Sequence, residues 1–397
     1  MNNTPYWLLV EPIKGKRTSV IKDGQIAIIG AGFAGVSTAY WLLQNGYKDI
    51  TIIDDGSTNA ASYRNAGHIL HGSGENYLTL RAVHGAKKAK RLIEISAEYC
   101  GLMKGFIDAL GIDCDYSQRG SLELATTDHE AAELNDSVDL ISLEVGDYAQ
   151  KVIPQALKHC FNAKGGKVTK LSATAHPVKF RNGLLQYCLD KGVKYYSAKV
   201  TRVEEGEIIY EPSPSDFCKT ALFDAVVLCA NAYSPQVNEY FKSKRLIEPF
   251  RGQIMVSKPL ESLKYRGAFS ADHGYIYGNA LPDGRLLIGG WRNMVPGNET
   301  GNYNLDINPA ITEGLTNWVA NHVVLNEIPE WEYEWSGIMG SSHNGLPIVG
   351  QIDGIYTCAG FTGYGFGWCF GSAKLLADII CGNPLMDGWQ YFSPKSV

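Results

Sequence analysis

The sequence has no long basic run, and so lacks the phosphate-neutralising stripe that nucleic-acid binding demands. A formal net charge of −5 points the same way. Its nine cysteines contain no Cys-x-x-Cys pair and no grouping with histidine at zinc-ligand spacing. No metal site is expected from them, and the scattered thiols read as small buried hydrophobes of a reducing compartment. No uninterrupted apolar stretch reaches the length of about eighteen residues that a membrane helix needs, and MNNTPYWLLVEPIKGKRTSV has no continuous apolar core of the signal-peptide kind. A cytoplasmic chain without a membrane span is therefore expected. Tandem repeats and low-complexity tracts are absent too, and nothing in the sequence marks an oligomeric state. What remains is an ordinary globular composition over 397 residues, enough for two or three packed units.

The first strong pattern is QIAIIGAGFAGVSTAYWLLQNGYKDITIIDD. An apolar run, a glycine turn, a helix with Val36, Ala39, Tyr40 and Leu43 at helical spacing and a second apolar run make a β-α-β unit of a parallel sheet. Gly30, Gly32 and Gly35 form a G-x-G-x-x-G between strand and helix, with Phe33 and Ala34 where the helix opens. The first glycine makes the turn, the second admits a pyrophosphate, and the third lets helix and strand pack closely. The phosphates then meet the free N–H groups and positive dipole end of the helix. Asp54 ends the second strand about twenty residues on, with Asp55 beside it, where an acid accepts hydrogen bonds from an adenosine ribose. No second such motif follows a strand, so one dinucleotide is expected, and the motif alone does not choose between NAD and FAD.

Residues 75–111 place Leu92, Ile95, Tyr99, Met103, Phe106 and Leu110 at helical intervals, which predicts one or two amphipathic helices over the sheet. Beyond Gly166, the short strands KVTKL, VKYYSA and EIIYE and the helix GLLQYCLDKG lead to the buried strand of FDAVVLCANAYS. Residues 246–296 are strand-rich, and Pro282-Asp283-Gly284 marks a turn there. The run GFTGYGFGWCFG at 360–371 then spends five glycines just ahead of SAKLLADIICG. Glycine costs backbone order, so this density implies close approach of the backbone to something else, with a helix starting near Trp368.

Taken together, these motifs resemble the FAD-dependent D-amino-acid oxidase superfamily, which includes glycine oxidase, sarcosine oxidase and γ-glutamylputrescine oxidase. The loop Ala61-Ser62-Tyr63-Arg64-Asn65-Ala66-Gly67 is similar to the family's A-S-x-R-N-x-G, and LCANAYS, with Ala230 and Asn231, to the strand end that closes over the cofactor. Val200 falls where the family's backbone contacts adenine. WSGIMGSSHNGLPIVG, with Gly337, and the run holding Gly363, Tyr364 and Gly365 match its flavin-facing segments. The RNAG loop, the NAYS ending and the YW lead look most like the γ-glutamylputrescine oxidase branch. The resemblance implies an α/β fold: a Rossmann-like FAD-binding domain (residues 1–95, 155–238 and 333–397) with an inserted mixed or antiparallel-sheet substrate domain (96–154 and 239–332). It departs from the family at Met339, where glycine and D-amino-acid oxidases carry the arginine that clamps a substrate carboxylate. Methionine cannot replace that planar fork, which raises an amine or a larger amino compound as the substrate.

The resemblance further implies FAD-dependent oxidation of the C–N bond of a small amine or amino acid, with O2 as acceptor and H2O2 as product. A same-fold dehydrogenase serving a quinone or carrier protein, and a non-catalytic flavin-binding subunit, are the alternatives. Tyr275 and Tyr277, two apart on an expected strand, share a face and either roof a substrate pocket or pack in an ordinary sheet. His68 either supplies positive charge for the reaction with O2 or is a hydrogen-bonded structural histidine. Arg64 is assigned to the cofactor, with bracing of its own loop as the alternative. Tyr364 is either a substrate wall or a core aromatic, and Gln253 either faces the pocket or is an ordinary strand residue.

Overall fold

The computed structural model describes residues 1–214 and 216–396. The β-α-β unit forms as strand Gly24–Ile29, helix Phe33–Gln44 and strand Ile50–Asp54. The strand Gly24–Ile29 is buried over its last four residues, which is why it reads as a continuous apolar run rather than an alternating one. Strand Lys219–Leu228 pairs parallel beside it, and Ile355–Ala359 pairs parallel beyond that, so segments far apart in sequence complete one sheet. The hairpin Lys199–Glu204 with Glu207–Glu211 joins at the same side.

Helices Phe33–Gln44, Ala86–Leu110, Pro177–Asp190 and Gly365–Cys381 bury their apolar faces in one core on this sheet. Residues 75–111 thus give two helices, Tyr77–His84 and Ala86–Leu110, separated at Gly85 with φ of 79°.

The second sheet runs in the order Trp331–Ser341, Glu248–Ser257, Leu286–Gly290, Ile276–Ala280, Gly267–Ala271, Ser121–Ala125, Gly165–Thr169 and Ala149–Val152. Its pairings are antiparallel except Gly267–Ala271 with Ser121–Ala125. The α/β class with a mixed second sheet is the observed architecture. The expected domain edges shift in three places. Residues 95 and 96 lie inside one continuous helix whose stripe of Leu92, Ile95, Tyr99, Met103 and Phe106 is buried against the first sheet. Strands Gly165–Thr169 and Trp331–Ser341, expected in the first domain, pair in the second sheet. A two-residue alternation shows that a strand exists without saying which sheet it joins.

The last long helix begins at Gly365 and not near Trp368. Two of its glycines are explained by packing: a Cβ at Gly371 would stand 2.1 Å from the Tyr99 ring, and one at Gly367 would stand 2.7 Å from Leu70 O. Gly365 would meet only ordinary contacts, with Phe361 at 3.4 Å the nearest. Gly371→Ala is accordingly expected to cost about 1–3 kcal/mol through overpacking, whereas Gly365→Ala leaves stability within about 1 kcal/mol of the parent. Denaturant unfolding of the two variants checks the contrast.

Candidate functional site

A cavity of about 840 Å³ lies between the two sheets, within the size range of cofactor and ligand sites. The N-termini of helices Phe33–Gln44 and Gly365–Cys381 both open onto it, and neither has a side chain of its N-cap residue bonded across the first turn. Phe33 and Phe366 stack at 4.3 Å between ring centroids, fixing the two ends side by side. The dipoles of both helices, and the first-turn N–H groups that have no partner, therefore favour negative charge here.

The glycine turn is held by Asp54. Its Oδ2 accepts the Ala31 N–H at 2.8 Å and its Oδ1 accepts the Gly56 N–H at 2.8 Å. Burial raises the Asp54 carboxyl above the usual carboxylate range, and the bond from Ala31 opposes this. Gly30, at φ of 103°, comes so close to Cys229 O that a Cβ would stand 2.8 Å away, and a Cβ on Gly35 would stand 1.9 Å from Gly30 O. Gly35 therefore serves helix-to-turn packing and does not line the cavity, while Gly30, Gly32, Phe33 and Ala34 do.

The loop Ala61–Gly67 forms the opposite lip. Ser62 Oγ accepts the Phe33 N–H at 2.9 Å, which leaves the hydroxyl proton free to donate outward. Asn65 folds the loop on itself, donating to Ala61 O and accepting the Gly67 N–H at 2.8 Å. Two indoles pin it from outside: Trp7 Nε1 donates to Asn65 O at 2.6 Å and Trp335 Nε1 to Arg64 O at 3.0 Å. Gly67 lies behind the wall against Trp7.

The Arg64 guanidinium donates to Thr58 O and Ser336 O, each at 2.8 Å. These bonds brace its own loop against the second sheet, and Arg64 also lines the cavity where contact with the cofactor was expected. Asp55, Val200, Ala230, Asn231 and Gly337 also line the cavity, as do Gly363 and Gly365. Asn231 ties two of these segments together, its Oδ1 accepting the Gly360 N–H at 2.8 Å.

At the end of the cavity formed by the second sheet stand Tyr275, Tyr277, His68, Met339 and Tyr364. Tyr275 precedes strand Ile276–Ala280 and reaches the cavity from a turn, so the expected strand alternation is not what aligns it with Tyr277. Burial pushes the Tyr277 hydroxyl up to about 12 and raises Tyr364 further. Burial lowers His68 to about 4, with a bond to the Gly278 backbone opposing it. This favours the neutral ring and, of the two roles weighed for His68, the structural one. Gln253 is buried, donating to Asn308 O, Thr312 Oγ1 and Glu334 Oε1, and does not face the cavity.

Arg292, which sequence reasoning missed, also lines this end. It lies in a single 3-10 turn after Trp291, whose φ of 64° is strained for a bulky residue. Gly314 makes room for that turn, since a Cβ there would stand 2.0 Å from Trp291 Nε1. The one signal for Arg292 was its place directly after GRLLIGGW.

The uncapped helix ends, the glycine turn and the pinned loop suit the pyrophosphate and ribityl parts of a dinucleotide, so the site and fold define a two-domain dinucleotide-binding oxidoreductase. The chain belongs to the FAD-dependent oxidoreductase (DAO) family, whose model matches residues 25–379, and FAD is its cofactor. It is 24% identical to a probable oxidoreductase OrdL of Haemophilus influenzae over 91% of this chain and 84% of that one. It is 23% identical to a D-amino acid dehydrogenase of Rhizobium rhizogenes over 90% of this chain and 96% of that one. The glycine oxidase of Geobacillus kaustophilus has the same fold, with a TM-score of 0.77 at 18% identity over 94% of this chain and 98% of that one. Among the described residues, no helix is long and apolar enough to cross a membrane.

The lowered His68 predicts a pH effect with a defined sign. The folded chain holds fewer protons on this ring than the unfolded chain, so its contribution is full above pH 6.5 and is lost as pH falls towards 4. The loss is of order 3 kcal/mol. Urea titrations at pH 7 and pH 4.5 are expected to show a smaller drop for His68→Gln than for the parent.

Proposed function

We propose that this chain oxidises the C–N bond of an amino acid to an imine at the bound FAD, with O2 taking the electrons to give H2O2. One observation carries the choice of an amino acid, and it is the state of Arg292. Its guanidinium lies 4.6 Å from the Phe250 ring centroid and 4.9 Å from that of Tyr275, and donates to Asn298 O at 3.3 Å. Among the described residues, no carboxylate lies within ion-pair distance of it. An unneutralised guanidinium held against two rings and lining a ligand cavity is suited to a carboxylate, which its fork meets with two charge-assisted bonds. Met339 occupies the strand position of the family's clamp, and Arg292 supplies the charge from a different loop. The activities of the relatives, on D-amino acids and glycine, support the same substrate class.

FAD supplies the acceptor for the hydride that leaves the carbon bearing the nitrogen. The chain holds the substrate carboxylate on Arg292, encloses it with Tyr275 and Tyr277, and presents His68 as a neutral ring that does not repel an ammonium group. Uncapped N–H groups at the start of helix Gly365–Cys381 stabilise negative charge that develops at the cofactor. The free cysteines support a reducing, cytoplasmic location.

Anaerobic titration of the holoprotein with D- and L-amino acids and simple amines tests the reaction, since an unbleached flavin band throughout would overturn it. In air, about one H2O2 per substrate is expected. Dye reduction without peroxide would remove O2 as acceptor and leave the C–N oxidation standing. Arg292→Met is expected to raise KM for carboxylate-bearing donors roughly 10- to 100-fold, with the KM of neutral amines unchanged.

A further inference from the structure

We propose that a second, smaller cavity beside the first is a subsite for the far end of the substrate. It takes an uncharged group that both donates and accepts hydrogen bonds, a carboxamide above all. This rests on the amino-acid reading above, because it concerns what the substrate carries beyond its α-carbon.

The small cavity has a volume of about 90 Å³ and shares eight lining residues with the large one, among them Gly74, Glu75, Ser270, His273, Gly274 and Tyr364. Tyr364 is the partition. A Cβ on Gly74 would stand 2.8 Å from its ring and one on Gly274 would stand 3.3 Å from its hydroxyl, so the side chain sits between two glycines. Its hydroxyl donates to Gly74 O at 3.4 Å, a long bond that a rotating side chain gives up readily.

The walls are polar and incompletely paired. His71 is only 6% exposed. Its Nε2 lies 3.1 Å from Ile93 O, and a carbonyl only accepts, so Nε2 carries the proton and Nδ1 is a bare acceptor. Nδ1 has no partner, and neither does Ser73 Oγ. Lys167, also 6% exposed, places Nζ 2.6 Å from the half-buried Glu123 Oε2 across adjacent strands, so these two charges cancel, and the exposed Glu75 adds a carboxylate to the lining.

Each class of ligand can be weighed against this wall. A methyl group leaves the two orphaned atoms unsatisfied, which native interiors avoid. A carboxylate faces Glu123 and the Nδ1 lone pair, and an ammonium faces Lys167. A carboxamide offers N–H to Nδ1 and C=O to Ser73 or Lys167, adding no charge to a neutral pair. The volume matches about three waters at ~30 Å³ each, which is room for a carboxamide and a methylene.

The test uses the holoenzyme with both enantiomers of glutamine, glutamate, norvaline and ornithine, which differ chiefly in the terminal group. Glutamine is expected to exceed the others in kcat/KM by roughly tenfold or more. His71→Phe, which fills the cavity, and the milder Ser73→Ala should both shrink that preference while leaving turnover of norvaline intact. Preference for a charged analogue, or a glutamine preference that both variants retain, overturns the subsite. If none of the four reduces the flavin, the same compounds are ranked by the change each causes in the flavin absorbance on binding. A carboxamide preference lost in the variants then supports the subsite although the proposed reaction fails, and no such preference overturns it.

Discussion

The stacking of Phe33 on Phe366 is the contact on which the site depends. It joins the first turns of two helices separated by most of the chain, and Trp41 Nε1 donating to Phe370 O at 3.0 Å holds the same pair further along. Two helices that start side by side place their positive ends together, an arrangement that is unfavourable until an anion lies between or beside them. The fold therefore builds an anion requirement into its own core. A cofactor with a pyrophosphate at one end and a ring that gains charge at the other answers it twice.

The glycine turn and the Ala61–Gly67 loop are the adjustable parts around that fixed pair. Asp54 shows how: a carboxylate in a site that disfavours its charge is kept there by two backbone N–H donors. Removing the bond from Ala31 would release the glycine turn from the strand that positions it. Trp7 and Trp335 do the same for the loop from the second sheet and the N-terminal segment, so cofactor-binding backbone is clamped by residues that never face the cavity.

Much of this was legible in the sequence because it rests on local pattern. The β-α-β unit follows from apolar periodicity and glycine spacing, and the cavity-lining loops follow from motifs. Features fixed by long-range pairing were not legible. The assignment of Gly165–Thr169 and Trp331–Ser341 to the second sheet depends on partners remote in sequence. The two roles of an arginine, brace at Arg64 and free charge at Arg292, depend on which carbonyls the fold brings near. The glycine run at 360–371 was read as a sign of close approach, and Gly367 and Gly371 supply it, yet the neighbours are Leu70 and Tyr99.

The charge balance of the cavity joins these strands. Burial favours the neutral form of His68, Asp54 accepts two backbone N–H bonds and Arg64 donates to two carbonyls, while the two helix ends and Arg292 bring positive charge to a cavity also lined by Lys199, Asp55 and Glu75. The helix ends and Arg292 favour negative charge. Arg292 keeps its freedom because Trp291 is held in a left-handed turn against Gly314, and a relaxed backbone at that position would carry the guanidinium elsewhere. The left-handed turn beside the second sheet thus places a cation at the cavity although position 339 is a methionine.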